Sequence, residues 1–304
     1  MADNKEKTAE TAAEPGTEVV AAASTDVAVA GGFDEDLLAD AGAGSENIGI
    51  EHLTVPFFSI LQQLSPQVQK GGPEYISGAE AGMIINTLTK KLYKANVGEE
   101  KSNGICVAAV HFEPKAIEWK PRGQGGGGGL IRVWGDDDSY QNSPDYQFSK
   151  EKNRWISKEG NEVTDHYDTY INQFGFFDEE NVLQMEVAQG ILSCKGSQIK
   201  KAKGWNAERM MLRINAGGRT INPASWYRTY RIRTKFESND KGSWFGWVIE
   251  PYLPVLEIDG GRDFYAYCKT TNAQLRSGEL KADDAGRMAD ISAGGLADGA
   301  EIPF

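Results

Sequence analysis

Residues 226–236 read Trp226-Tyr227-Arg228-Thr229-Tyr230-Arg231-Ile232-Arg233-Thr234-Lys235-Phe236. Glu237-Ser238-Asn239-Asp240-Lys241-Gly242 follows, and then Ser243-Trp244-Phe245-Gly246-Trp247-Val248-Ile249. Aromatic and β-branched residues dominate both runs and a polar, Gly-closed hexapeptide separates them, which predicts a β-hairpin. Side chains alternate across a strand. One face of the first run therefore carries Trp226, Arg228, Tyr230, Ile232, Thr234 and Phe236 and suits a core. The other carries Tyr227, Thr229, Arg231, Arg233 and Lys235, one ring and three cations. Trp244 and Trp247 fall on opposite faces of the returning strand, so one is expected to pack inward and the other to be open for stacking.

Working outward, Ile105 to Phe112 is an apolar run fit for a buried strand, and Ala116 to Lys120 alternates as a second. Glu113-Pro114 is read as the turn between them. The run Gly125 to Gly129 then leads into a strand at Leu130 to Trp134. No Gly-Lys-Ser/Thr follows those glycines and no helix comes next, so the stretch reads as a hairpin tip, not a nucleotide cradle. Residues 136–175 are polar and turn-rich and their fold is left open; within them Asp136-Asp137-Asp138 and Asp165-His166-Tyr167-Asp168 read as solvated loop. Val182 to Leu192 is a further strand, with Gly190 a candidate bulge. Ser197 to about Arg213 reads as a helix with Ser197 as N-cap; Lys201, Trp205 and Arg209 share a stripe that sets an indole between two cations. Gly217-Gly218 turns the chain. Residues 263–277 form a last helix that Gly278 stops.

The formal net charge is −12, but it is segregated. Residues 1–52 hold twelve acids and two bases, and residues 279–304 hold six acids and two bases. Residues 195–235 reverse the pattern, with eleven Lys/Arg and a single acid, Glu208. Acidic ends around a basic centre point to a polyanion site. Residues 1–48 and 279–304, rich in Ala, Gly, Asp and Glu, cannot bury enough apolar surface to offset their ordering entropy and read as disordered acidic tails around a 49–278 body. No apolar run approaches the ~20 residues of a membrane span. Cys106, Cys194 and Cys268 stand far apart, as reduced core thiols in a cytoplasm would. His52, His111 and His166 lack zinc-ligand spacing. No metal, cofactor or catalytic group is assigned.

A strand face with a ring and three cations suits a single-stranded nucleic acid, the cations meeting phosphates and the ring stacking on an uncovered base. The DNA-contacting set is expected to be Lys200, Lys201, Lys203, Trp205, Arg209, Arg213, Arg219, Tyr227, Arg231, Arg233, Lys235, Trp244 and Trp247. The chain closes Leu296-Ala297-Asp298-Gly299-Ala300-Glu301-Ile302-Pro303-Phe304. This ending resembles the tail tip of bacterial single-stranded DNA-binding proteins and their phage counterparts, in which acidic residues precede Ile-Pro-Phe. The acids here, Asp298 and Glu301, are sparser than in that family.

The strands alone could make several barrels; the resemblance implies an OB-like Greek-key barrel with helical and loop insertions, a β-dominated α+β fold. It also implies a phage protein of the bacterial host's cytoplasm that protects single-stranded DNA during replication, recombination and repair; whether it is a homo-oligomer stays open. Asp298, Glu301, Ile302, Pro303 and Phe304 would recruit polymerase, helicase/primase or nuclease. Two rivals stay open. A single-strand annealing protein would use the same basic face. A magnesium nuclease would use the carboxylates at 136–138 or 178–180.

Overall fold

The computed structural model describes residues 55–98, 103–120, 129–240 and 242–282, together with residues 43, 53 and 284. Its strands are β1 (Phe58–Ile60), β2 (Ile84–Asn86), β3 (Leu92–Tyr93), β4 (Ile105–Lys120), β5 (Gly129–Gly135), β6 (Tyr146–Ser149), β7 (Arg154–Ser157), β8 (Glu162–Phe177) and β9 (Leu183–Lys195). Helix α1 (Ile199–Met211) follows, then β10 (Ile214–Ala216), β11 (Arg219–Ile221), β12 (Arg228–Asn239), β13 (Gly242–Pro254) and helix α2 (Gly261–Ser277). The main sheet runs β13-β12-β4-β8-β7-β6, with β5 added on β4 and β9 on β8. All its pairings are antiparallel, and the sheet curls into a half-barrel. The protein is thus β-dominated with few helices, and the 226–249 hairpin forms as β12–β13.

β4 and β8 are the spine of the sheet, paired over nearly their full length. The turn expected at Glu113-Pro114 does not form, because β4 runs straight through it. Away from β8, β4 pairs with β12 only at Ile105–Ile232 to Ala108–Thr229 and with β5 only from Ala116 onward. Pro114, which has no N–H to give, sits in the gap between those two partners. In the same gap Asn272 of α2 donates its side-chain amide to the Val110 carbonyl at 2.6 Å.

Residues 136–175, whose fold the sequence left open, supply β6, β7 and most of β8, the inner strand. Asp165-His166-Tyr167-Asp168 is not a solvated loop but part of β8. Polarity hid this strand. His166, Asp168, Thr169, Asn172 and Gln173 are all buried, and partners among neighbouring side chains make the burial tolerable. Asn172 donates to Thr271 Oγ1 at 3.0 Å, and His166 lies 3.3 Å from Ser193 Oγ and 3.2 Å from Thr164 Oγ1.

Ile105 to Val110 is apolar without alternation because both faces of the sheet are covered there. Ile105, Val107 and Ala109 face Trp205, Tyr230, Ile232 and Trp247, together with Phe58, Ile84 and Tyr93 from the β1–β3 segment. Cys106, Ala108 and Val110 face Phe264 and Cys268 of α2 and Val255. All three cysteines are buried free thiols, and burial pushes each pKa up to about 12. Gly190 is no bulge. The Phe58 ring lies where its Cβ would be, and the β8–β9 register shifts instead between Gln173 and Gly175.

Gly278, at φ +77°, closes α2 as expected. Leu280 is buried beyond it and Ala282 bridges Val55, so the ordered body runs past residue 278. The far end of the sheet has its own small core of Ala116, Tyr140, Val163, Trp134, Tyr146 and Trp155. Among the described residues no helix is long and apolar enough to cross a membrane. Most of the two acidic ends lies outside the described residues.

Candidate nucleic-acid interface

Helix α1 sits on the sheet by a narrow inner face. Ala202 and Trp205 are its buried residues. Trp205 is not the exposed indole that its flanking cations suggest: it is 4% exposed and meets the Tyr230 ring edge-on at 5.3 Å. Arg209 stacks on it from the other side, its guanidinium 4.9 Å from the ring, and burial lowers the Arg209 pKa. Ser197 does not cap α1. It lies in a preceding 3-10 turn, and Gln198 instead accepts the Trp247 N–H at 2.9 Å, pinning the helix start to β13. The first turn of α1 holds no acid and has no side-chain cap.

The outer face of α1 is Lys200, Lys203, Gly204, Ala207, Met210 and Met211, all exposed and without an acid among them. Lys203 Nζ lies 5.7 Å from the ring centroid of Tyr167 on β8, and Phe112 of β4 meets that ring edge-on at 5.3 Å. Both rings are half-buried, so each keeps surface open. This pairs exposed cations with accessible aromatic surface, the two ingredients of a sequence-tolerant single-strand platform. Neither ring was among the expected contacts. For Tyr167 the signal was the period-2 pattern of Val163, Tyr167, Thr169 and Ile171, broken in phase by Asp165 and masked by His166 and Asp168; Phe112 closes the apolar run from Ile105.

Past α1 the chain makes a short hairpin, β10–β11, whose pairing is confined to its own two strands. Gly217 and Gly218, at φ +56° and +75°, take the left-handed pair of conformations that its two-residue tip requires. Arg213 and Arg219 are exposed here, and Arg213 donates to the carbonyls of Met210 and Leu212 at 2.8 and 2.9 Å.

The cations of β12 are placed differently. The face expected to be open is largely closed: Thr229 is fully buried, and Tyr227, Arg231 and Arg233 are half-buried. Arg231 donates to the Asn103 carbonyl at 2.8 Å and lies 4.1 Å over the Phe177 ring; burial and the adjacent Arg233 charge lower its pKa. Arg233 is ion-paired with Glu250 at 2.6 Å, and Arg228, on the supposedly apolar face, with Glu208 at 3.3 Å. Lys201 is held by Glu237, which also accepts the Trp244 indole N–H at 3.0 Å. Trp247 is buried at 5% exposure, a core residue and not a stacking surface, and Trp244 is half-buried. Lys235 is exposed. Of the thirteen expected contacts, then, Lys200, Lys203, Arg213, Arg219 and Lys235 face solvent.

Two of the carboxylates considered for a metal, Asp178 and Asp137, serve the backbone. Asp178 accepts the N–H groups of Glu180 and Val182 at 3.0 and 2.9 Å in the β8–β9 turn, and Asp137 accepts that of Ser139 at 2.9 Å. Those bonds hold both pKa values below the usual carboxylate range. Glu179 is paired with Lys94 at 2.8 Å. Among the described residues no group of three or more His, Cys, Asp or Glu could hold a metal ion. Asp298, Glu301, Ile302, Pro303 and Phe304 lie outside the described residues.

Residues 29–281 match the family model described as Pam3 phage gp34-like protein. No curated protein and no solved structure gives a significant match.

Proposed function

The chain belongs to the Pam3 phage gp34-like protein family, and from that premise we propose that it binds single-stranded DNA with little sequence preference, as an accessory and not an enzyme, in phage replication or recombination in the host cytoplasm. The observation that carries this reading is the acid-free outer face of α1, with Lys200 and Lys203 exposed and Lys203 beside the half-open ring of Tyr167, which Phe112 meets edge-on. Cations so placed meet phosphates while the rings take bases that no complementary strand covers. Arg213, Arg219 and Lys235 are further exposed cations. In a chain of net charge −12, an exposed helix face that carries cations and no acid is conspicuous.

The terminal Ile302-Pro303-Phe304, behind Asp298 and Glu301, is the docking tip for replication or recombination proteins, and the acidic tail competes with DNA for the basic face when no strand is bound. Fluorescence anisotropy of labelled oligo-dT, with a duplex of equal length as control, tests the reading at two salt concentrations. The single strand should bind preferentially, with log affinity falling by about 0.7 per phosphate neutralised for each log unit of salt. Equal binding of both, or none, overturns it. Deleting residues 296–304 should strengthen DNA binding and abolish capture of the partner proteins.

A further inference from the structure

Three large apolar side chains are left in water at one place in the basic region. Met210 is 67% exposed, Met211 76% and Ile221 41%. They are neighbours: Asn222 donates to the Met210 carbonyl at 3.2 Å, and Ile221 pairs with Ile214 at the open end of the β10–β11 hairpin. The hairpin makes no strand pairing with the main sheet, nearly all of its residues are exposed, and its tip is Gly217-Gly218. From Arg209 to Ile221 there are three arginines and no acid. A bare apolar cluster flanked by two exposed arginines is a poor surface for a neutral protein partner, which would offer Arg213 and Arg219 no counter-charge. It matches a polyanion that also exposes flat apolar groups. Unpaired nucleobases on a phosphate backbone have both, and methionine and isoleucine are among the side chains that insert between bases.

We infer that the end of α1 and the β10–β11 hairpin form a base-inserting arm, in which Met210, Met211 and Ile221 contact unstacked bases of the bound strand while Arg213 and Arg219 hold the flanking phosphates. This rests on the single-strand-binding reading and gives it a polarity. DNA passing the Lys203–Tyr167 platform continues along the outer face of α1 to the arm, where its bases are splayed.

The test compares full-length protein with the Met210→Ser/Met211→Ser/Ile221→Ser variant, on oligo-dT and on an abasic oligonucleotide of equal length. All three positions are exposed, so the fold should be little affected; circular dichroism and the melting temperature check this. The wild type should prefer oligo-dT over the abasic strand, and the variant should lose about ten-fold of that preference while its affinity for the abasic strand stays the same. Arg213→Gln/Arg219→Gln should weaken both ligands alike and flatten the salt dependence. A wild type that binds neither strand sinks the single-strand reading itself. A wild type that binds both, with the preference unchanged in the serine variant, overturns the arm alone. The same holds if the serine variant loses binding to phosphatidylglycerol vesicles, or changes oligomeric state by light scattering, while its base preference is intact.

Discussion

Helix α1 carries Lys200, Lys201, Lys203 and Arg209; strand β12, which meets it through Trp205 and Tyr230, carries Arg228, Arg231, Arg233 and Lys235. Charge density along the chain is the same in both. On β12 Arg228 and Arg233 are ion-paired to Glu208 and Glu250, and Arg231 is spread over Phe177. On α1 the pinned cations are those that turn toward the sheet, Lys201 and Arg209, whereas Lys200 and Lys203 stand in water. The difference comes from neighbours. β12 pairs β13 along its length and β4 over Thr229–Ile232, and Glu208 of α1 and Phe177 of β8 lie against it. Three of its four cations therefore meet a partner and Lys235 alone of the four faces solvent, while a helix lying on a sheet always leaves one face unmet. A basic stretch is therefore a candidate site only where the fold withholds its counter-ions.

The sharpest break in this comparison is within α1 itself, between Trp205 on the inner face and Lys203 on the outer. Trp205→Ala should cost about 3–5 kcal/mol of stability, the usual loss for a buried Trp, in urea or thermal unfolding. The remaining folded protein should bind oligo-dT normally. Loss of DNA binding at full stability would return Trp205 to the role of stacking residue. The converse is Lys200→Glu/Lys203→Glu, which should leave stability within about 0.5 kcal/mol, as exposed substitutions do. Reversing two phosphate-facing charges should lower oligo-dT affinity by ten-fold or more and reduce the salt slope by about 1.4.

How much of this was legible beforehand follows the same line. The 226–249 hairpin, the strand at Ile105 and the helix ended by Gly278 were readable because local pattern and tertiary environment agree there. β8 was not, because a strand buried on both faces is expected to be apolar, and this one carries His166, Asp168, Asn172 and Gln173, with His166 and Asn172 paired to distant Ser193 and Thr271. Which cations would be free was equally illegible. Glu250 lies 17 residues from Arg233, and nothing in the spacing says that β13 returns it to the same place. Tyr167 was missed for the first reason, since it rides on the strand that polarity concealed; Phe112 closes the Ile105 run on β4, which was read as wholly buried.

A smaller effect is expected at Tyr167. Its ring is half-open and capped by Lys203, so Tyr167→Ala should lower oligo-dT affinity by about 1–2 kcal/mol, one base's stacking, with little change for an abasic strand. Tyr167→Phe keeps the ring and should restore binding. An effect of Tyr167→Phe as large as that of Tyr167→Ala would mean that the hydroxyl, not the ring, makes the contact.

The smallest effect is predicted on β12 and is the most discriminating for the comparison. Arg233→Gln removes a cation that the sequence alone would place in the DNA-binding face. Arg233 is already engaged by Glu250, whose side chain is 44% exposed, so solvent screens the pair. Exposed pairs contribute about 0.2–1 kcal/mol. Denaturation should therefore show a loss within that range, and anisotropy should show oligo-dT affinity within about two-fold of wild type, because no phosphate contact is lost. Glu250→Gln works in the opposite sense. By releasing Arg233 from its partner it should leave affinity unchanged or raise it slightly, and any gain should disappear at high salt, where free cations are screened. If Arg233→Gln instead weakened DNA binding as much as Lys200→Glu/Lys203→Glu, the bound strand would have to displace Glu250. The basic face of β12 would then be a second part of the interface, held shut by its own ion pairs.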